Sequence, residues 1–274
     1  MTTDRNPQAE QMADESMVRN LAAQAEALWP QERKLLAFDE LPADARVLDV
    51  GCGSGEAIAR LAQELPDARF LGIDLHEPHL AIARERLARL GDRVEFRTGD
   101  AFELALEDAS FDLVLCRHML QAVPRVEQVL GEMQRVTKPG GRLHLVAEDY
   151  AMIHFDPADA ALEQFFLDGP CTFARKTGTD LLSGRKMPHL LRSLGLEDVR
   201  MDYATLDTER VPRETLAAVF AAWGDGYTDC IASETRLSLE EVRQAFDQMV
   251  SAVLDPAGYA VWHVPVVSAR KPRG

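Results

Sequence analysis

Apolar and polar positions follow two rhythms along this chain. Between Ala45 and Asp149, short apolar runs rich in Val, Ile, Leu and Phe alternate with stretches of helical spacing. The runs are "ARVLDV" from Ala45, "ARFLGIDL" from Ala68, "RVEFRTGD" from Arg93, "FDLVLCR" from Phe111 and "RLHLVAED" from Arg142. Each reads as a strand. Between them the spacing predicts helices over Glu56–Leu65, Pro78–Leu90 and Val126–Val136. Pro near a first turn is tolerated, Gly91 closes the second helix, and "KPGG" stops the third. Strands that alternate with helices need crossover connections. The pattern therefore predicts a parallel sheet covered on both faces.

Outside that stretch the rhythm changes. Residues 9–38 read as a helix interrupted near Pro30, with Leu21, Leu28, Leu35 and Leu36 as its apolar stripe. The segment "YAMIHFDPADAALEQFFLDGPCTFARK" from Tyr150 is rich in aromatics and Met. A helix is expected over Thr179–Leu194, ended by Gly195, and a strand over "LEDVRMDYATLD" from Leu196. Two more helices are expected at Arg213–Ala222 and Ser238–Val253, before a last strand, "YAVWHVPVVSARK". The expected fold is α/β: a doubly wound, mostly parallel, seven-stranded Rossmann-like sheet with helical lid insertions. Its expected parts are a helical cover over 1–40, a ligand-binding core over 41–149 and an aromatic lid segment over 150–178. The remainder of the core then spans 179–274, with a second lid at about 210–256.

Composition narrows the function classes. The 274 residues are 46% apolar and 27% charged, enough for an ordinary globular core, and the formal net charge is −15. That balance argues against a nucleic-acid partner, which needs clustered Lys and Arg, and against an anionic membrane surface. Cys52, Cys116, Cys171 and Cys230 form no closely spaced pair, so neither a zinc site nor a disulfide framework is expected, and a reducing cytoplasm fits. The N-terminal residues are polar and carry no secretory signal pattern, and no run is long enough to span a membrane. A small-molecule partner is expected; a homodimer stays open.

The candidate chemistry begins at "VLDVGCGSGEAI", from Val47. Glycines between a strand and a helix permit a tight turn and close approach of a ligand to bare backbone. Asp49 ends the first strand and Asp74 the second, where an acid can accept hydrogen bonds from a ribose. The dinucleotide fingerprint would place its third glycine where Glu56 stands, and a carboxylate there repels a pyrophosphate. The loop therefore favours S-adenosylmethionine (SAM) over NAD.

Five motifs in order, "VLDVGCGSG", "GIDL", "TGDA", "FDLVLC" and "EMQRVTKPGGRL", resemble the class I SAM-dependent methyltransferases over about Ala45–Glu148. The likeness is weaker to the C-terminus, through "LLRSLGLEDVRM". It implies that Asp49, Gly51, Cys52 and Gly53 flank the methionine part of the cofactor. It also implies that Asp74 and Leu75 meet the ribose, that Asp100 and Ala101 line the adenine, and that Arg117 and His118 line the cofactor cavity. The cover seen in small-molecule members implies that Arg19 and Gln24 reach the cofactor. S-adenosylhomocysteine would be the product.

Methyl transfer mainly requires alignment and exclusion of water, and a base only where the nucleophile holds a proton. The candidates are His118, Tyr150 and His154, with Glu148 and Asp149 as further acids. His144 and His263 alternate within strands and read as structural, and Arg185 reads as a solvated helix-start charge that could also meet a substrate acid. No Asp, Asn and His spacing demands a metal, although carboxylates could bind Mg²⁺. The expected activity is methyl transfer to an O, N or C atom of a metabolite. An NAD-dependent oxidoreductase and a non-catalytic SAM-binding protein are the rivals.

Overall fold

The computed structural model describes residues 5–273. The strands are β1 (Arg46–Val50), β2 (Arg69–Asp74), β3 (Val94–Thr98), β4 (Phe111–Arg117), β5 (Thr137–Val146), β6 (Ile153–Asp156), β7 (Glu197–Asp207) and β8 (Tyr259–Arg270). They form one sheet in which β3, β2, β1, β4 and β5 are parallel neighbours and β8 joins β5 antiparallel. Helices α3 (Glu56–Glu64), α4 (Glu77–Leu87) and α5 (Val126–Val136) make the crossovers. One face packs Val47, Ile58, Leu61, Leu80 and Leu115; the other packs Leu48, Val114, Leu130, Met133 and Leu145.

The doubly wound α/β sheet is the one expected, but it has eight strands rather than seven. The extra strand is β6, inside the segment read as an aromatic lid. β8 is long enough to pair β5 through Val266–Arg270 and still offer Tyr259–Trp262 to β6, while β7 runs along its other edge.

Helices α1 (Ala9–Ala13) and α2 (Glu15–Glu32) precede the sheet. Asp14 caps α2 by accepting the Ser16 N–H at 2.8 Å. Pro30 lies in the last turn of α2, which ends at Glu32 and falls short of the expected residue 38. The helix expected over Thr179–Leu194 shrinks to α8 (Met187–Ser193). The Gly184 N–H bonds the Glu148 carbonyl at 2.9 Å and the Leu181 carbonyl accepts the Tyr150 N–H at 3.0 Å, so this backbone is bound to the chain after β5 and forms only a 3-10 turn at Gly184–Lys186 before α8. Helix α9 (Arg213–Glu234) instead runs past the expected stop at Ala222. Gly224 and Gly226 are contact points: a Cβ at Gly224 would lie 3.1 Å from the Phe246 Cβ on α10 (Leu239–Leu254), and one at Gly226 would lie 2.7 Å from the Ser16 Oγ. Helices α6 (Ala160–Asp168), α7 (Pro170–Thr177), α9 and α10 share an apolar core with Trp262, Phe165, Phe220 and Phe246.

Candidate active site

The loop from Val50 to Glu56 turns through left-handed backbone at Gly51 (φ +74°), Gly53 (φ +50°) and Gly55 (φ +78°). A Cβ at Gly53 would meet the Leu21 Cδ1 at 2.6 Å and one at Gly51 would meet Met119 at 3.1 Å, so a side chain is excluded there by both space and conformation. The Gly53 N–H donates to the Asp74 Oδ2 at 2.8 Å, and the His76 N–H to its Oδ1 at 2.9 Å. Glu56 opens α3 with its carboxylate held by Arg60 at 2.7 Å and by Arg86. An acid already fills the helix N-terminus that a pyrophosphate would need.

Beside this loop lies a cavity of about 800 Å³ lined by Gly51, Gly53, Asp74, Leu75, Asp100, Ala101, Arg117 and His118. A narrower cleft joins Asp49, Gly51, Cys52, Arg117 and His118. Asp49 is 2% exposed, and burial raises its carboxyl to about 7, against the opposing pull of Arg117. Arg117 is itself anchored: Glu32 on α2 binds it at 2.7 Å and also meets the His144 Nε2 at 3.1 Å. Burial alone would raise the Glu32 carboxyl, but Arg117 and His144 outweigh it and bring it down to about 2.

A second cavity, of about 630 Å³, lies under the helices that follow β5. Tyr150, Phe166, Phe173, Trp223, Tyr227 and Phe246 are among its walls. Tyr150 stacks on Trp223 with centroids 4.9 Å apart, and burial, with Glu148 nearby, pushes its phenol well above the usual range. The two cavities share Gln8, Met12, Met17, Leu21, His118 and Ala122.

His118 stands at this junction. Its backbone is left-handed (φ +55°) and is held there by its N–H to the Val146 carbonyl at 2.9 Å and by Gln121 Nε2 donating to its own carbonyl at 2.7 Å. Nδ1 meets Glu148 Oε1 at 2.8 Å, whereas Nε2 is buried without a partner. Trp262 lies against the ring with centroids 6.3 Å apart.

Two expected site residues lie elsewhere. Arg19 faces outward from α2 and pairs with Asp225 on α9 at 2.8 Å, lining neither cavity. His154 is exposed on β6, because its neighbour Ile153 takes the buried side of the strand. Gln24 is buried, but in the second cavity, where its Nε2 donates to Glu148 Oε1 at 3.3 Å. Arg185 clamps the buried Asp149, with Nη2 to Oδ1 at 2.6 Å, so it is structural and not free for a substrate acid. Gln121, Asn20, Leu21 and Met119 also line these cavities. Gln121 and Met119 flank the His118 turn and could have been found there; Asn20 and Leu21 carry no local signal. Among the described residues no group of three or more His, Cys, Asp or Glu is placed to hold a metal ion, and no helix is long and apolar enough to cross a membrane.

Residues 41–169 match the family model of a methyltransferase domain. The chain is 31% identical over 224 residues to Methyltransferase GfsG of Streptomyces halstedii, covering 77% of this chain and 78% of that protein. It is 39% identical over 132 residues to 27-O-demethylrifamycin SV methyltransferase of Amycolatopsis mediterranei, covering 47% and 46% of the two chains. It thus spans about half the length of that relative. Among solved structures, a Haemonchus contortus phosphoethanolamine N-methyltransferase 2 in complex with SAM is similar in fold, with a TM-score of 0.59, 18% identity, and coverage of 96% of this chain and 60% of that one. The chain belongs to the methyltransferases. Within them it is a class I SAM-dependent enzyme, with SAM as its cofactor.

Proposed function

We propose that this methyltransferase alkylates a hydroxyl group on an uncharged, largely apolar small molecule, with His118 as general base. The observation that carries this is the His118–Glu148 pair at the junction of the two cavities. A carboxylate at Nδ1 holds the ring in the tautomer whose Nε2 can accept a proton. A hydroxyl nucleophile needs that service, since it is weak until its proton leaves. An aliphatic amine does not: Glu148 would favour its ammonium form and disable it. No Lys or Arg lines the second cavity among the described residues, so nothing there would offset a phosphate or carboxylate on the acceptor. A net charge of −15 speaks against a nucleic-acid acceptor.

The chain's own residues fit the cofactor. The carboxylate of Asp49, with no donor from the protein, suits the ammonium group, and Arg117 supplies charge for the carboxylate. Gly51, Cys52 and Gly53 leave bare backbone, Asp74 and Leu75 suit the ribose, and Asp100 and Ala101 the adenine. SAM supplies a methyl group on a cationic sulfonium with a good leaving group. The protein aligns the acceptor oxygen, takes its proton at His118 Nε2 and keeps water out with Tyr150, Phe166 and Trp223. In this reading the described residues of the expected 1–40 cover, from 5 on, lie over a core at 41–149, and the segments at 150–178 and about 210–256 close over the acceptor. The free cysteines suit a cytoplasmic enzyme.

The test is methyl-labelled SAM with hydroxylated metabolite extracts and mass spectrometry of the products. His118→Ala should lower turnover by roughly 10²–10⁴-fold while SAM affinity stays near wild type. Weakened SAM binding with unchanged turnover would make His118 a packing residue.

A further inference from the structure

The second cavity is largely apolar, and at one end, beside the Tyr150 hydroxyl, several unmatched hydrogen-bond acceptors collect. Gln24, Gln121 and Glu148 are each at least nine-tenths buried there, and Gln24 Oε1, Gln121 Oε1 and Glu148 Oε2 have no hydrogen-bond partner. Asn20 Oδ1, elsewhere in the lining, has none either.

The orientations of the two glutamines follow from their other contacts. Gln121 must turn its NH₂ toward the His118 carbonyl, 2.7 Å away, because a carbonyl accepts and cannot donate. Gln24 must turn its NH₂ toward the Glu148 carboxylate at 3.3 Å for the same reason. Each amide is thereby left with its oxygen unmatched. Beside the proton-accepting His118 Nε2 there is thus a set of unmatched hydrogen-bond acceptors, the oxygens of Gln24, Gln121 and Glu148. Buried polar groups without partners are unfavourable, and a ligand that supplies donors relieves them.

We infer that the acceptor carries a second hydrogen-bond donor next to the hydroxyl that is methylated, a vicinal diol or catechol-type arrangement on an apolar body. One hydroxyl meets His118. Its neighbour, with one proton to give, donates it as a three-centre hydrogen bond shared by the Gln121 and Gln24 oxygens and is left unmethylated. This inference rests on the hydroxyl-acceptor reading above and adds what selects the substrate and the position of transfer. Gln24 and Gln121 are then specificity-determining residues. Gln121 has a further role, since the bond that orients its oxygen also holds the His118 turn.

The test uses tert-butylcatechol and para-tert-butylphenol, which differ by one hydroxyl. Binding of each is measured by calorimetry with S-adenosylhomocysteine present, so the result does not depend on turnover. The wild-type protein should bind the catechol about tenfold or more tightly, the effect of one matched buried hydrogen bond. In Gln24→Leu and Gln121→Leu that ratio should fall to near unity, with S-adenosylhomocysteine affinity retained as the control for folding. If Gln121→Leu disturbs the His118 turn and fails this control, Gln24→Leu decides. Equal binding of the two probes by wild type, or an unchanged ratio in the folded variants, overturns the inference. Product analysis separates it from the reading beneath it. Catechol preference with transfer to nitrogen or carbon acceptors alone would keep the second-donor site and sink O-methylation; O-methylation without preference would do the reverse.

Discussion

Two acids in the cofactor region show how surroundings decide what a residue can do. Asp74 ends β2 with both carboxylate oxygens already receiving backbone N–H groups, whereas Asp49, next to the end of β1, is buried with no donor from the protein. Burial brings the Asp49 carboxyl up to about 7. Its charged form is the one that pairs with a cofactor ammonium, so SAM affinity should rise as pH increases toward about 7 and level off above it. Below that value it should fall by up to about tenfold per pH unit. The sign for folding is opposite. An acid whose folded pKa is raised makes the ligand-free protein less stable as pH climbs from about 4 to about 7. Calorimetric titration with SAM between about pH 6 and pH 8 checks the first expectation, and Asp49→Asn should flatten the profile. A wild-type affinity that does not change over that range would remove Asp49 from the ammonium site. Asp49, the glycines and His118 were legible in the sequence because strand ends and turns are local. The unmatched state of Asp49 was not, since it depends on everything packed around it.

At the scale of elements, α2 is tied to the sheet by charge inside an apolar setting. Glu32 on α2 joins Arg117 at the end of β4 and His144 in β5. Removing one member of such a group leaves its partner buried and unpaired, which costs about 3–5 kcal/mol. Glu32→Gln should therefore lower unfolding free energy by about that amount, read by urea denaturation, and should loosen the cofactor wall that Arg117 forms. The depressed Glu32 carboxyl contributes stability that is fully present above its ordinary value near 4.5 and is lost as pH falls through about 2. A Glu32→Gln protein as stable as wild type at neutral pH would show that the helix is held by apolar contacts alone. The face that α2 turns to the site explains the outcome for two expected residues. Gln24 and Arg19 both lie on this helix, but packing against α9 leaves Arg19 outside with Asp225 and brings Gln24 to Glu148.

At the scale of the molecule, the site draws on widely separated segments. Leu21 comes from α2, the glycines follow β1, Asp100 follows β3 and His118 follows β4. A ligand bridging these parts binds the folded chain and not the unfolded one. S-adenosylhomocysteine at a hundredfold over its Kd should thus add about 2.7 kcal/mol to stability, seen as a higher Tm by calorimetry. A Tm indifferent to saturating S-adenosylhomocysteine would mean that the cofactor does not occupy this junction.

The sequence by itself determined the alternating core from Ala45 to Asp149, the strand ends that carry Asp49 and Asp74, the glycine loop and the place of His118 after β4. All of these follow from period, turn chemistry and chain order, which are short-range. The tertiary structure alone decided that Glu148 would be the partner of His118 across 30 residues, that His154 would point away from the site, and that β6 would become an eighth strand. It also decided that Gly224 would lie inside a helix and not end one. These outcomes rest on which faces meet and how closely. Side-chain convergence and backbone approach are set by long-range packing, and no local pattern encodes them.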